Sequence, residues 1–191
     1  MEPDFYLASR SPRRMQMLRE AGLRFASAPA DLDEQARAQE APAAFAQRMA
    51  LEKACTVFAE GGGLPALGAD TDVALGERIL GKPSNRMEAI DMLLQLSGRI
   101  HEVHSAVALV RRGQCEVIAT RTEVLFGRIC RTEAEAYWDS GEPADKAGAY
   151  AIQGLAGRWV REIRGSYSGV VGLPLYETLE LLARHGICAR R

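Results

Sequence analysis

The stretch that most constrains the fold is Leu67-Gly68-Ala69-Asp70-Thr71-Asp72-Val73, a short apolar run carrying an acidic pair. Small and apolar residues in so short a run read as a buried strand. Asp70 is then expected at the strand's tip. A carboxylate fixed there, at the mouth of a cleft, can bind a divalent cation or take a proton from water. Lys82, in Gly81-Lys82-Pro83, follows closely enough to return as the opposite charge over the same cleft. An acidic residue after a strand is commonly a turn former or helix cap, so the chemistry has to be supported from elsewhere in the chain.

Length and charge narrow the classes. A chain of 191 residues can bury about 70% of its unfolded surface. With no repeat, low-complexity tract or linker, the simplest organisation is a single α/β domain over residues 1–191, with two lobes around a cleft. A formal charge of −1 provides no global field for nucleic acid or an anionic membrane, so any affinity for phosphate must be local. No run of about 18 apolar residues occurs, and Glu2, Pro3 and Asp4 lack the basic opening of a signal peptide. A cytoplasmic protein is expected. Cys55, Cys115, Cys130 and Cys188 form no C-x-x-C pair and read as reduced, mostly buried thiols. His101 and His104 fall on opposite faces of a strand and make a poor zinc pair.

The N-terminal segment supplies a second polar constellation. Residues 5–8 form a short apolar strand, Ser11 suits an N-cap and Pro12 the first helical position, giving a helix to about residue 21 that stops at Gly22. Arg13 and Arg14 then lie in the first turn and oppose the helix dipole unless an anion sits nearby. Free backbone N–H groups, the hydroxyls of Ser9 and Ser11 and two guanidinium groups make a polyphosphate seat; the alternative is a solvated basic turn.

Further along, residues 23–28 read as a strand and Asp31-Leu32-Asp33-Glu34 as an acidic loop. Helical spacing predicts a helix over 42–60, with Lys53 at a position that normally faces solvent, closed by Gly61-Gly62-Gly63. Gly76-Glu77-Arg78-Ile79-Leu80-Gly81-Lys82 has P-loop spacing, but Pro83 replaces the Ser or Thr that would hold magnesium and has no N–H. Ile79 and Leu80 read instead as a short strand. An amphipathic helix over 84–97 buries Met87, Ile90, Leu93, Leu94 and Leu96, and half-buried antiparallel strands follow over 100–111 and 115–126. Thr132 caps a helix through Tyr137 and Trp138. Small residues mixed with Asp145, Lys146, Tyr150 and Gln153 suit a wall that a ligand approaches closely. A strand over 159–163 and an amphipathic helix over 174–184 complete the chain.

Three segments, Leu7-Ala8-Ser9-Arg10-Ser11-Pro12-Arg13-Arg14, Gly68-Ala69-Asp70-Thr71 with Gly81-Lys82-Pro83, and Asp145-Lys146-Ala147-Gly148-Ala149-Tyr150, resemble the Maf-like nucleoside triphosphate pyrophosphatases, or septum-formation inhibitor proteins. They recur in that family's order and approximate spacing, spanning nearly the whole chain. Ala151-Ile152-Gln153-Gly154 and the glycine-rich segment 165–174 are similar to its dTTP/UTP branch; the 7-methyl-GTP branch differs at 152–154. The resemblance implies a two-lobed α/β fold with an elongated mixed sheet flanked by helices, like that of the inosine-triphosphate pyrophosphatases. It implies metal-dependent hydrolysis of a nucleoside triphosphate to monophosphate and pyrophosphate, with Mg²⁺ or Mn²⁺ as cofactor, and a homodimer. Asp70 stands at the family's proton acceptor. Arg13, Thr71 and Gln153 stand at its specificity positions, and Ser9, Ser11, Arg14, Glu34, Lys53 and Lys82 at its polar cleft positions. Arg10 and Asp72 depart from the usual pattern; Asp72 is expected to point away from Asp70, as a second metal-site carboxylate or an exposed turn residue.

Asp70, Lys82 and Glu34 are thus the candidate catalytic residues, with Asp70 and Glu34 the candidate metal ligands. A carboxylate pair without a His/Cys set favours a hard cation over zinc. The Gln153 amide matches N3–H and O4 of uracil or thymine, but rotated it fits cytosine as well; the narrower choice rests on the resemblance. The competing readings are a 7-methyl-GTP pyrophosphatase and a nucleotide-sensing regulator of septum formation without turnover. A sensor has no use for a water-activating carboxylate.

Overall fold

The structure, a computed structural model, describes residues 2–61 and 63–189. Strand β3 (Ala66–Leu75) is the axis of a seven-stranded mixed sheet. On one side its first residues pair in parallel with β1 (Phe5–Leu7), which pairs in parallel with β2 (Phe25–Ser27). Its last residues turn through Gly76 into the short β4 (Arg78–Leu80), so the P-loop spacing belongs to a hairpin. On the other side β5 (Ile100–Arg111), β6 (Gln114–Phe126) and β7 (Val160–Arg164) continue antiparallel.

Helix α1 (Pro12–Glu20) begins as its sequence predicts, with Ser11 Oγ accepting from Arg14 N–H. Helices α2 (Pro42–Glu60), α3 (Arg86–Leu96), α4 (Arg131–Asp139), α5 (Tyr167–Val171) and α6 (Leu175–Arg184) complete the set. The expected stop after α2 includes Gly62, which lies outside the described residues; Gly61 N–H donates to the Phe58 carbonyl. Apolar packing divides into two main clusters. One joins α1 and α6 to β1 and the start of β3; the other joins α3 and α4 to β4, the ends of β5 and β6, and the 147–159 segment. A cleft opens between them.

The contact that sets the depth of this cleft is between β3 and α2. A Cβ on Gly68 would overlap the Ala50 carbonyl oxygen and lie 2.8 Å from Ala54 N, so strand and helix backbones touch at this point. Ala46, Ala50 and Ala54 continue the close approach against Ala106 and Ala108 of β5. Small side chains let α2 settle onto the sheet and bring Lys53, one residue before Ala54, down beside Asp70.

Several local expectations differ from the structure. Asp70 and Asp72 lie within β3, not at its tip, because β1 pairs with one end of the strand and β4 with the other. Residues 103–110 of β5 are buried on both faces, not one, because α2 covers one face while α5 and α6 approach the other. Met87 is 75% exposed: α3 starts at Arg86 behind the Asn85 cap, and this turns Met87 outward. Thr132 sits inside α4, where the cap is Cys130, with Glu133 accepting from its N–H. The four cysteines are free but exposed, on outer faces and near the C-terminus, rather than buried.

His101 and His104 do occupy opposite faces of β5. His101 Nε2 lies 2.8 Å from the Tyr150 hydroxyl in an edge-on cluster with Phe126, and burial pushes its imidazole down to about 4. It is a neutral post supporting the segment around Tyr150. The close strand–helix contact gives a direct test: Gly68→Ala should cost about 1–3 kcal/mol through overpacking. A chain of this size loses roughly 2–4 °C of Tm per kcal/mol. An unchanged Tm would mean that α2 does not rest on β3 at this point.

Candidate active site

Strand periodicity decides what enters the cleft. Gly68, Asp70 and Asp72 share the face of β3 that meets α2, and the cleft above them is about 720 Å³. Lys53 rises from α2 into its floor and is 6% exposed. Its Nζ lies 2.6 Å from Asp70 Oδ1 and 2.7 Å from Glu34 Oε1, while Lys82 Nζ approaches Glu34 Oε2 at 3.4 Å. Lys53 is therefore not solvent-facing: it is a buried cation at the point where two carboxylates from different parts of the chain converge. Burial pushes the Glu34 carboxyl up, but the two lysines outweigh this and hold it below its ordinary range.

Asp72 points into the same space as Asp70 rather than away from it, because residues two apart on a strand share a face. Burial first, and then the Asp70 charge, push its carboxyl up to about 9. Asp72 is thus the member of the acidic pair that is driven toward its neutral form. Asp72 Oδ2 has no hydrogen-bond partner among the described residues.

The rim is cationic. Arg14 donates from Nε to the Gly172 carbonyl at 2.7 Å and from Nη1 to Ser9 Oγ at 3.4 Å. Ser9 Oγ also accepts from Ser11 N–H at 3.1 Å, so both hydroxyls shape the turn that starts α1. Arg13 and Arg10 line the cleft, and Arg13 makes no hydrogen bond to another described residue. Across from them a pair of 3-10 turns carries Asp145 and Lys146, which are ion-paired. Gly148 at φ +65° donates its N–H to the Gly81 carbonyl at 3.1 Å, tying this wall to the loop of Lys82. A Cβ on Gly148 would press into Val73 of β3.

Gln153 lines the cleft, is exposed, and makes no hydrogen bond among the described residues. Its amide does not serve to hold neighbouring backbone. Thr71, on the opposite face of β3 from Asp70, reaches the cleft edge with Oγ1 3.2 Å from Ser105 Oγ. All ten candidate residues line this one cleft. Further polar lining residues, among them Arg10, Asp72, Asp145, Lys146 and Tyr150, were not among the candidates. The signal available for Asp72 is period-two alternation, which puts it on the face of Asp70, contrary to the expectation that it points away; the signal for Lys146 is its position inside the Asp145–Tyr150 motif.

The donor set suits a hard cation. Among the described residues no cluster of three or more His, Cys, Asp or Glu converges on one point. Asp70 and Glu34 do meet across Lys53, and a magnesium-type ion takes one or two carboxylates and completes its shell with water and phosphate oxygens. Asp70 and Glu34 each give one oxygen to the Lys53 ammonium between them, and their carboxylates are hard donors of the kind such an ion takes.

A buried carboxylate on the floor, a buried lysine that fixes it and arginines and lysines around the rim are the parts of a site that can take a polyphosphate and direct water at it. The chain belongs to the family of Maf-like proteins, whose model matches residues 4–185. It is 51% identical over 184 residues to the dTTP/UTP pyrophosphatase of Hahella chejuensis, covering 95% of this chain and 92% of that one. The dTTP/UTP pyrophosphatase of Pseudoalteromonas atlantica is 47% identical over 93% of this chain and 95% of its own. That of Neisseria meningitidis serogroup B is 46% identical, with 93% and 91% covered. The architecture expected for the family, a mixed sheet flanked by helices, is the one observed.

The two lysines should separate in stability measurements. Lys53→Met leaves Asp70 and Glu34 without their shared cation and should cost about 3–5 kcal/mol. Lys82→Ala, at an exposed pair, should stay within about 0.5 kcal/mol of the parent. Equal melting temperatures for the two variants would contradict the buried placement of Lys53.

Proposed function

We propose that this protein is a nucleoside triphosphate pyrophosphatase that hydrolyses dTTP and UTP to the monophosphate and pyrophosphate. The observation that carries this reading is Asp70: a buried carboxylate, locked by Lys53 at 2.6 Å on the floor of a cleft with cationic walls. The choice of substrates rests on relatives named as dTTP/UTP pyrophosphatases and on the unengaged amide of Gln153.

In this reading the phosphates lie against Arg13, Arg14 and Lys82, whose charges offset those of the triphosphate and of the transition state. Ser9 and Ser11 keep the first turn of α1 in shape and leave Arg14 aimed at the cleft. Asp70 orients a water and takes its proton, and Lys53 holds the carboxylate in position. Protonated Asp72 keeps a second negative charge away from incoming phosphate. A bound Mg²⁺ or Mn²⁺, held by Asp70 and Glu34, would supply charge neutralisation on phosphate oxygens. Gln153 offers one donor and one acceptor to the N3–H and O4 edge of uracil or thymine. Thr71 borders the same cleft.

A nucleotide substrate needs no nucleic-acid surface, and none of the described helices is long and apolar enough to cross a membrane. Free, exposed cysteines suit the reducing cytoplasm.

Pyrophosphate release from dTTP, UTP, CTP, GTP, ATP and 7-methyl-GTP, with Mg²⁺ or Mn²⁺, tests the reading. The expectation is preference for dTTP and UTP, with turnover reduced about 10²–10⁴-fold by Asp70→Asn. Turnover of Asp70→Asn within about threefold of the parent would remove it as the base. Gln153→Ala should lower dTTP and UTP efficiency about tenfold or more while purine nucleotides fall less. A proportionate loss across all nucleotides would instead give Gln153 no part in reading the base.

A further inference from the structure

Behind the wall that carries Gln153 lies a hydrogen-bonded pair that does not line the cleft. Tyr137 is buried on α4, its ring edge-on to Trp159 with centroids 5.1 Å apart. Its hydroxyl donates to Glu142 Oε1 at 2.6 Å and accepts from Ala151 N–H at 3.1 Å. The other carboxylate oxygen, Glu142 Oε2, accepts from Leu155 N–H at 3.1 Å. Glu142 is itself set in place: its N–H donates to Ser140 Oγ, and that hydroxyl donates to the Tyr137 carbonyl at 2.6 Å.

The two backbone groups caught by this pair flank Gln153. Between them Gly154 N–H donates to the Ala151 carbonyl at 3.0 Å and closes the turn. Gly154 has a steric reason to be glycine, since a Cβ there would overlap the Glu142 carboxylate. The turn is therefore fixed at both ends from the side away from the cleft, and its tip, Gln153, is left free of internal hydrogen bonds. Discrimination by a single amide depends on placement to a fraction of an ångström, because hydrogen bonds weaken steeply with distance and angle.

We propose that Tyr137 and Glu142 are positioning residues for base selection: by pinning Ala151 N–H and Leu155 N–H they hold the Gln153 amide at the height and angle that reads a pyrimidine edge. The inference rests on the base-reading role of Gln153. Neither residue touches substrate. Both act through the turn.

The experiment compares Tyr137→Phe, which keeps the ring, and Glu142→Ala with the conservative Glu142→Gln, which retains one acceptor, alongside Gln153→Ala and the parent. Calorimetry gives Kd for non-hydrolysable analogues of UTP and GTP; kcat for UTP, Tm and amide exchange over 151–155 are measured on the same proteins. The expected result is faster exchange in the turn and a UTP-to-GTP affinity ratio about threefold or more below the parent in Tyr137→Phe and Glu142→Ala. Glu142→Gln should fall between parent and Glu142→Ala, with kcat at saturation retained within about threefold because Asp70 is untouched. If Gln153→Ala lowers the ratio and the Tyr137 and Glu142 variants do not, the positioning role is wrong and the base-reading role stands. Equal weakening for both analogues with a lower Tm would make the pair structural only and overturn the inference. A ratio unmoved by Gln153→Ala would overturn the base-reading role and the inference with it.

Discussion

The rest of the site depends on the ammonium of Lys53, which is buried between Asp70 and Glu34. An isolated charge in that position would be costly, and so would the buried Asp70 carboxylate without its partner. Lys53 and Asp70 tolerate burial only together, with the more exposed Glu34 as a third partner, and the three come from a helix, a central strand and a loop far apart in sequence. Small side chains make this possible: Gly68 and the alanines of α2 allow the backbones to close up until Lys53 reaches the floor. The packing is tight where the chemistry requires a fixed carboxylate.

Charge is distributed by depth. The floor pairs Lys53 with Asp70 and drives the neighbouring Asp72 toward its neutral form. The rim presents Arg13 and Lys82 more openly to the cleft. A chain whose formal charge is only −1 thus concentrates affinity for phosphate in one cleft without becoming generally basic. The remaining wall has a different task. It is built from 3-10 turns and glycines at positive φ, held to the sheet by the neutral His101–Tyr150 post and from behind by Tyr137 and Glu142.

Most elements were legible in the sequence because periodicity and end signals agree with the tertiary structure. Helix α2 spans the expected 42–60, and the Ser11-Pro12 start of α1 behaves as its residues require. What the sequence did not disclose depends on neighbours distant along the chain. Met87 fits a helical apolar pattern but faces outward because the Asn85 cap sets the phase of α3. The cysteines read as buried by residue type, yet each falls on an outer surface. Lys53 carries no local sign of burial, since its partners lie nineteen residues before it and seventeen after. The candidate residues were legible through their motifs, whereas the Tyr137–Glu142 brace was not, because its contacts to Ala151 and Leu155 span 14 and 13 residues. Asp72 is the instructive case: it was expected to point away from Asp70, but β3 runs on through both residues and a strand puts residues two apart on one face.

If Lys53 serves the chemistry by holding Asp70, the two residues should behave as one unit in turnover. The decisive measurement is a double-mutant cycle on kcat for UTP hydrolysis with Lys53→Met, Asp70→Asn and the two combined, each protein assayed well below its own Tm. Residues that act together are strongly non-additive. The account predicts that the double variant is no more than about threefold slower than Asp70→Asn alone. Losses that multiply, each substitution reducing kcat by the same factor whether or not the other is present, would contradict it.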